Sequence, residues 1–160
     1  PELCDKLILG HTAPRMSIPA DVLATRVESL GKMPVDEYAK IVVAQAMSPN
    51  ASLTLREWLT DMLIRNDKRA YTQVLTEGLS GFDVAARLKQ IAHQTLVITG
   101  ALDAVLPREG GHEIAELIPA STYVEIPAVG HIGYAEDPKT FNNAVLSFIH
   151  SRKATRFFST

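Results

Sequence analysis

Two ionisable residues near the C-terminus, Asp103 and His131, each follow an apolar, β-branched run that ends in a turn. The runs are residues 95–99 and 122–126, and the residues between them, Pro107 to Leu117, have a helical pattern. An order of strand, helix and strand predicts two parallel strands joined by a right-handed crossover. The carboxyl ends of such strands share one edge of the sheet, where open α/β folds place their sites. We therefore expect a carboxylate and an imidazole to meet there, as they do where an acid orients a general base beside a nucleophile.

Each of these residues also has an ordinary structural interpretation. Asp103 could cap the helix that begins near Pro107, and His131 could be a structural histidine in its loop. Their shared position at one edge of the sheet favours the acid and base pair. His11 also lies just past a predicted strand and is a candidate substrate contact. We expect no metal site, because no histidine pair has the i, i+4 spacing of a zinc-binding helix and one cysteine leaves no cysteine-rich ligand set. No cofactor is expected either.

The remaining sequence predicts the elements that hold this pair in place. A first strand is expected from Leu3 to Gly10, and helical periodicity then runs from Met16 to about Gln90. An apolar stripe at three- and four-residue spacings marks a helix from Ser52 to Arg65. Asp137, followed by Pro138, is the expected cap of the last helix. The buried face of that helix is expected to hold Phe141, Val145, Phe148 and Ile149. The other predicted helices are Ala20 to Leu30, Val35 to Ala46, Lys68 to Glu77, and Val84 to Ile91 with Asp83 as its cap.

This order of elements predicts an α/β fold class, with parallel strands, flanking helices and a helical cap insertion over the carboxyl ends of the strands. Four segments are expected: a first core strand and loop at 1–15, a helical cap and return helix at 16–92, an α/β core with the acid and histidine at 93–150, and a tail at 151–160. Trp58 and Met62, on the apolar stripe of the cap, are candidate substrate contacts. Their ordinary role would be a seam between cap and core.

Two segments carry a resemblance to a known family. Leu96 to Pro107 resembles the segment that holds the triad acid in the α/β-hydrolase fold family, and Gly130–His131 resembles the segment that holds its histidine. The resemblance covers Leu7 to Ile149, and the cap looks most like those of small-lid enol-lactonases and esterases. It implies a partial α/β-hydrolase fold and hydrolysis of a small ester or lactone substrate. It also implies a Ser-His-Asp triad in which Asp103 is the acid and His131 the base.

The family's nucleophile is the residue that this sequence lacks. The family's serine lies on a G-x-S-x-G turn between a strand and a helix, and no such motif occurs here. Gly78 to Gly81 imitates the turn around Ser80, but residues 71–77 before it have a helical pattern. Because Leu7 to Gly10 resembles the strand that follows the serine turn and its helix, we expect the N-terminal half of the fold to be missing from this chain. The chain alone should then be inactive. Its first strand should present an unpaired edge that the missing half or a second chain covers.

Composition narrows the class of protein further. A net charge of −2 over 160 residues offers no electrostatic attraction to nucleic acid or to an anionic membrane. No apolar run approaches the roughly 20 residues that span a bilayer. One cysteine, Cys4, and no signal-like N-terminus fit a cytoplasmic protein. A non-catalytic relic or small-molecule binding protein of the same fold stays open, as does a related hydrolase with a carboxylate nucleophile.

Overall fold

The computed structural model describes residues 3–16, 18–78 and 81–151. In those ranges the elements are, in order, β1 (Lys6–Gly10), α1 (Ala20–Lys32), α2 (Val35–Ala46), α3 (Leu53–Ile64), α4 (Lys68–Gln73), a π-helical turn (Val74–Gly78), α5 (Ala85–Leu88), β2 (Gln94–Gly100), α6 (Arg108–Leu117), β3 (Ser121–Ile126), α7 (Gly133–Glu136) and α8 (Pro138–His150). The predicted α/β class, with a helical insertion between the first two strands, is confirmed. None of the described helices is long and apolar enough to cross a bilayer.

The central strand of the sheet is β2, which pairs in parallel with β1 on one side and with β3 on the other. Its residues 95–100 are all buried, as is typical of a parallel strand covered on both faces. Because successive side chains point to opposite faces, Val97 packs with Ile114 and Ile118 on the α6 side. Leu96 and Ile98 pack instead against the α8 side chains Phe141, Val145 and Phe148. The sheet therefore holds the ends of β2 and β3 firmly in place.

The outer edge of β1 is unpaired: within the described ranges, no strand lies beside it on the side away from β2. Ile8, in the middle of the strand, is 37% exposed. This is the apolar edge that the sequence predicts, and native proteins normally cover such an edge. The strand begins later than predicted, at Lys6 rather than Leu3. The Lys6 ammonium donates hydrogen bonds to the carbonyls of Phe148 (2.6 Å) and Ile149 (2.9 Å), which ties the start of β1 to the end of α8.

The cap predicted for α8 is confirmed, and the structure shows that α3 is capped in the same way. Ser52 Oγ accepts a hydrogen bond from the backbone N–H of Leu55 at 3.2 Å, and Asp137 Oδ1 accepts one from that of Thr140 at 3.0 Å. Each cap satisfies a backbone donor that has no partner inside its helix.

Three helical predictions were wrong in part. The helix expected from Lys68 to Glu77 leaves α geometry after Gln73 and ends in the π-helical turn. The helix expected from Val84 to Ile91 is only the four residues of α5, although Asp83 Oδ1 still accepts a hydrogen bond from the Ala85 N–H at 2.9 Å. Ile149 is 49% exposed rather than part of the buried face of α8, because it falls beside the stripe of side chains that packs on the sheet.

A third apolar cluster joins the helical insertion to the core. Val43, Ala46 and Met47 of α2 and its C-terminal end pack with Leu59 of α3 and with Ile132. Ile132 immediately follows His131, so this cluster fixes the insertion against the loop that carries the histidine. Gly130 allows the close approach, because a Cβ there would lie 2.6 Å from the Ala46 carbonyl oxygen.

We predict that Gly100→Ala destabilises the chain by about 3 kcal/mol, since an added Cβ would meet the Gly130 carbonyl oxygen at 2.3 Å and the Val129 carbonyl oxygen at 2.6 Å. Both obstacles are backbone atoms of the histidine loop, which cannot rotate away. Gly31→Ala is the control, because nothing lies within 4 Å of its added Cβ and alanine favours the helix by up to about 1 kcal/mol. Urea unfolding of both variants measures the difference. Equal midpoints for Gly100→Ala and the wild type would contradict the prediction.

Candidate active site

Asp103 lies in the turn that follows β2, and its side chain has no exposed surface. Oδ1 accepts hydrogen bonds from the backbone N–H groups of Val105 (2.9 Å) and Leu106 (2.8 Å). The carboxylate therefore caps its own turn and not α6, whose N-cap is Pro107. These two bonds fix the orientation of the carboxyl group and leave Oδ2 for another partner.

That partner is His131, which lies in the loop after β3. Its Nδ1 is 2.9 Å from Asp103 Oδ2. An ionised carboxylate can only accept, so Nδ1 of the neutral imidazole carries the proton and the lone pair of Nε2 is free. The side chain of His131 is 27% exposed, whereas that of Asp103 is fully buried. A buried acid that holds a partly exposed histidine in this tautomer is the arrangement of a general base and its orienting group.

The backbone of the histidine loop is held by a residue to which the sequence gives no role, Glu136. Its two carboxylate oxygens accept hydrogen bonds from the N–H groups of Gly130 and Ser48, each at 2.9 Å. The His131 N–H also donates to the Ala46 carbonyl oxygen at 2.7 Å. Glu136 thus ties the loop to the segment after α2. No local pattern reveals this role, because Ser48 is 88 residues away in sequence.

The imidazole of His11 is buried against the same Asp103 carboxylate that His131 contacts. Its Nδ1 is 3.6 Å from Asp103 Oδ2, and its side chain is only 5% exposed. Neither ring nitrogen has a hydrogen-bond partner in the part of the chain that the structure describes. Its backbone has a φ of 49°, in the left-handed region where histidine is one of the enriched residue types. Gly133 leaves space for the ring, since a Cβ there would lie 2.7 Å from it.

A metal ion would have to compete with this pair. His11, Asp103 and His131 offer ligand atoms within 4.8 Å of one another, which is a spacing that a metal ion could use. However, Asp103 Oδ1 already accepts two backbone hydrogen bonds and Oδ2 accepts the one from His131. An ion bound through Oδ2 would share that oxygen with the hydrogen bond from His131. The expectation of no metal stays a prediction.

A cleft of about 800 Å³ reaches the residues that follow Asp103, although neither Asp103 nor His131 lines it. Residues 104–107, which directly follow Asp103, form one wall, and α1, α2 and Tyr71 form much of the rest. Trp58 and Met62 do not line this cleft, and their assignment as substrate contacts stays a prediction. Both are nearly half exposed, because α3 packs through Leu59 and these two side chains flank the buried line. Trp58 lines a separate open groove with Ala135 and Glu136.

Ser80, the serine that imitates the expected turn, lies outside the described residues.

Burial alone raises the pKa of Asp103, but the imidazoles of His11 and His131 and the Leu106 N–H stabilise the carboxylate and hold its pKa below the usual value. A carboxyl whose pKa is lower in the folded chain adds stability that is fully present above its unfolded pKa, about 4. That stability is lost as the pH falls through the folded pKa.

We therefore predict that the free energy of unfolding falls less steeply below about pH 4 in Asp103→Asn than in the wild type. Urea titrations at a series of acid pH values measure it. Asp36→Asn is the control, because Asp36 is an exposed partner of Lys40 at 3.7 Å and should leave the slope unchanged. Parallel curves for the wild type and Asp103→Asn would show that this carboxyl does not couple to folding.

Part of the chain is similar in sequence to curated relatives, two of which are described below. The chain is 42% identical over 66 residues to BpoC of Mycobacterium tuberculosis, provisionally described as a non-heme bromoperoxidase; the match covers 41% of this chain and 25% of the relative. It is 34% identical over 71 residues to RutD of Caulobacter vibrioides, provisionally described as a carbamate hydrolase, over 44% of this chain and 26% of the relative. No protein-family model matches the chain.

Solved structures extend the similarity to nearly all of the chain. The bromoperoxidase from Bacillus anthracis superposes with a TM-score of 0.83 at 20% identity, over 92% of this chain and 58% of that one. The enol-lactonase from Burkholderia xenovorans LB400 superposes with a TM-score of 0.82 at 23% identity, over 92% and 56%. The chain thus spans little more than half the length of these proteins. Because these superpositions cover 92% of the chain, its 160 residues form a partial α/β-hydrolase fold.

Proposed function

We propose that this chain provides the acid and the base of a Ser-His-Asp hydrolase that cleaves carboxylic esters or lactones. The observation that carries the proposal is the 2.9 Å contact between Asp103 Oδ2 and His131 Nδ1, with the acid buried and the histidine partly exposed. The names of the structural neighbours, which include an esterase and an enol-lactonase, support the reaction class. The nucleophilic serine comes from polypeptide outside this chain.

The reaction then proceeds in two halves. His131 Nε2 takes the proton of the serine hydroxyl as its oxygen attacks the ester carbonyl, and Asp103 stabilises the imidazolium that forms. The imidazolium gives that proton to the departing alcohol oxygen, which leaves an acyl-enzyme. Water then attacks the acyl group while His131 takes its proton, and return of the proton to the serine releases the acid. In a lactone, the alcohol and the acid stay parts of one product.

His11 acts in this scheme as a positioning residue and not as the substrate contact expected from the sequence. Its ring is buried against Asp103 and Gly133. From there it supports the ionised state of the acid at Oδ2, the oxygen that also accepts from His131. This position adds a second imidazole to the environment of the carboxylate.

The open edge of β1 is the place where the missing half of the fold would join. A further parallel strand there would satisfy the free backbone groups of β1 and cover Ile8, which is 37% exposed. Such a strand, followed by a turn that carries the serine, would end at the same sheet edge as Asp103 and His131. A second chain that covers the edge is the alternative occupant.

Intact mass and N-terminal sequencing of the native protein, with a p-nitrophenyl acetate assay of the same sample, test the proposal. We expect a longer chain or a tightly bound second fragment that contains G-x-S-x-G and turns over the ester. Sensitivity of that turnover to a phosphonofluoridate, with the label on the serine of that motif, would identify the nucleophile. A protein of this length alone, without turnover, would contradict the proposal.

One observation favours a second candidate, a binding protein for small molecules. The cleft of about 800 Å³ is lined wholly by residues of this chain, and it is of a size that proteins use for small ligands. Ligand binding without turnover, in a native protein that has no serine turn, would favour this candidate over the hydrolase.

A further inference from the structure

The walls of the cleft beside Asp103 are largely apolar, but three charged residues also line it. Arg15 forms an ion pair with Glu113, and Glu109 lies 3.6 Å from Arg108. Arg26, on α1, has no ion-pair partner within the described ranges. The cleft therefore combines an apolar lining with one uncompensated positive charge.

Two phenols line the same cleft as that charge. Tyr38 of α2 and Tyr71 of α4 both line the cleft, with ring centroids 5.7 Å apart in an edge-to-face contact. Burial raises the pKa of both phenols, while the positive charge of Arg26 acts on each in the opposite direction. Neither hydroxyl has a hydrogen-bond partner in the described part of the chain, so both are available as donors.

We propose that Arg26, Tyr38 and Tyr71 form a subsite for a carboxylate, and that the natural ligand of this cleft is a small organic acid with an apolar body. A guanidinium and two hydroxyl donors match the acceptors of a carboxylate. The apolar walls, including Val42 and Leu106, would hold the rest of the molecule. This inference deepens the proposed function, because it makes the substrate an ester or lactone that also bears a free carboxylate.

The residues that line the cleft next to Asp103 give the subsite its place in the reaction. Residues 104–107, which directly follow Asp103, line the same cleft as α1 and α2. A ligand anchored by its carboxylate at Arg26 would extend along these walls toward the sheet edge where the acid lies. The subsite would then select which ester or lactone is held there and take no part in bond cleavage.

Binding of a matched pair of probes to this chain tests the subsite without any turnover. The probes are phenylbutyrate and its neutral amide, phenylbutyramide, titrated by calorimetry into the wild type and into Arg26→Gln. We expect the wild type to bind the carboxylate roughly tenfold more tightly than the amide, the size of one charge-assisted hydrogen bond. Arg26→Gln should lose that preference, and Arg26→Lys should keep part of it. Added salt should weaken the preference in the wild type.

Arg65→Gln is the matched control, because Arg65 is an exposed arginine of the same helical insertion that lines none of the described cavities. It should keep the wild-type preference. Equal binding of the two probes by the wild type, no saturable binding of phenylbutyrate, or a preference that survives in Arg26→Gln would each overturn the proposal. Since no step requires a nucleophile, failure here leaves the hydrolase proposal untouched. Absence of turnover in the native protein would likewise leave the subsite standing.

Discussion

On the proposed function, His131→Ala in the native protein is expected to lower kcat for p-nitrophenyl acetate by about 10⁶, the loss seen when the base of a serine triad is removed. Without the imidazole nothing takes the serine proton, and the hydroxyl is a weak nucleophile at neutral pH. The fold should survive, because the N–H of residue 131 still donates to the Ala46 carbonyl oxygen and Ile132 stays in its apolar cluster. Steady-state rates of the purified variant measure the loss.

His150→Ala separates this effect from the general loss of a histidine. His150 is exposed at the end of α8 and should leave kcat unchanged. A His131→Ala enzyme that keeps a tenth or more of wild-type kcat, as a rough threshold, would sink the assignment of the base. Far-ultraviolet circular dichroism and the urea midpoint of each variant show whether a lost rate reflects chemistry or unfolding.

Asp103→Asn is expected to lower kcat by about 10⁴ with little change in the fold. Asparagine keeps an oxygen in the place of Oδ1, so it can still accept from the N–H groups of Val105 and Leu106. In the place of Oδ2 it puts an amide that donates to His131 Nδ1. That reversal moves the imidazole proton to Nε2, which can then no longer accept the serine proton.

Two measurements decide the outcome for Asp103→Asn. Nitrogen-15 NMR of the histidine ring should show the proton on Nε2 in the variant and on Nδ1 in the wild type, at neutral pH. Asp137→Asn is the kinetic control, because an asparagine can still cap α8 and the residue does not contact His131. A fall in kcat with no change of tautomer would mean that Asp103 acts through the structure of its turn and not through the histidine.

The local features of this fold were predictable because they depend on neighbours in sequence. The span of α2 follows from apolar periodicity, and the cap Asp137 follows from a side chain that reaches a backbone donor three residues on. Asp103 and His131 share one sheet edge because two strands joined by a helical crossover run parallel and end at the same edge. Predictions for α5 and Ile149 were less good, because packing against the sheet and not periodicity sets where a helix ends and which side chain it buries.

The sequence by itself determined the α/β class, the acid and histidine after their strands, and the unpaired edge of β1. Each of these rests on a pattern within one element or on a rule that joins consecutive elements. Only the tertiary structure decided that Glu136 holds the histidine loop and that His11 packs against the Asp103 carboxylate. It also decided that Arg26 lines the cleft and that Trp58 does not. Those outcomes depend on contacts between residues that are far apart in the chain. Such side chains meet only when the packed elements bring them together, so no periodic pattern in the sequence predicts the contacts.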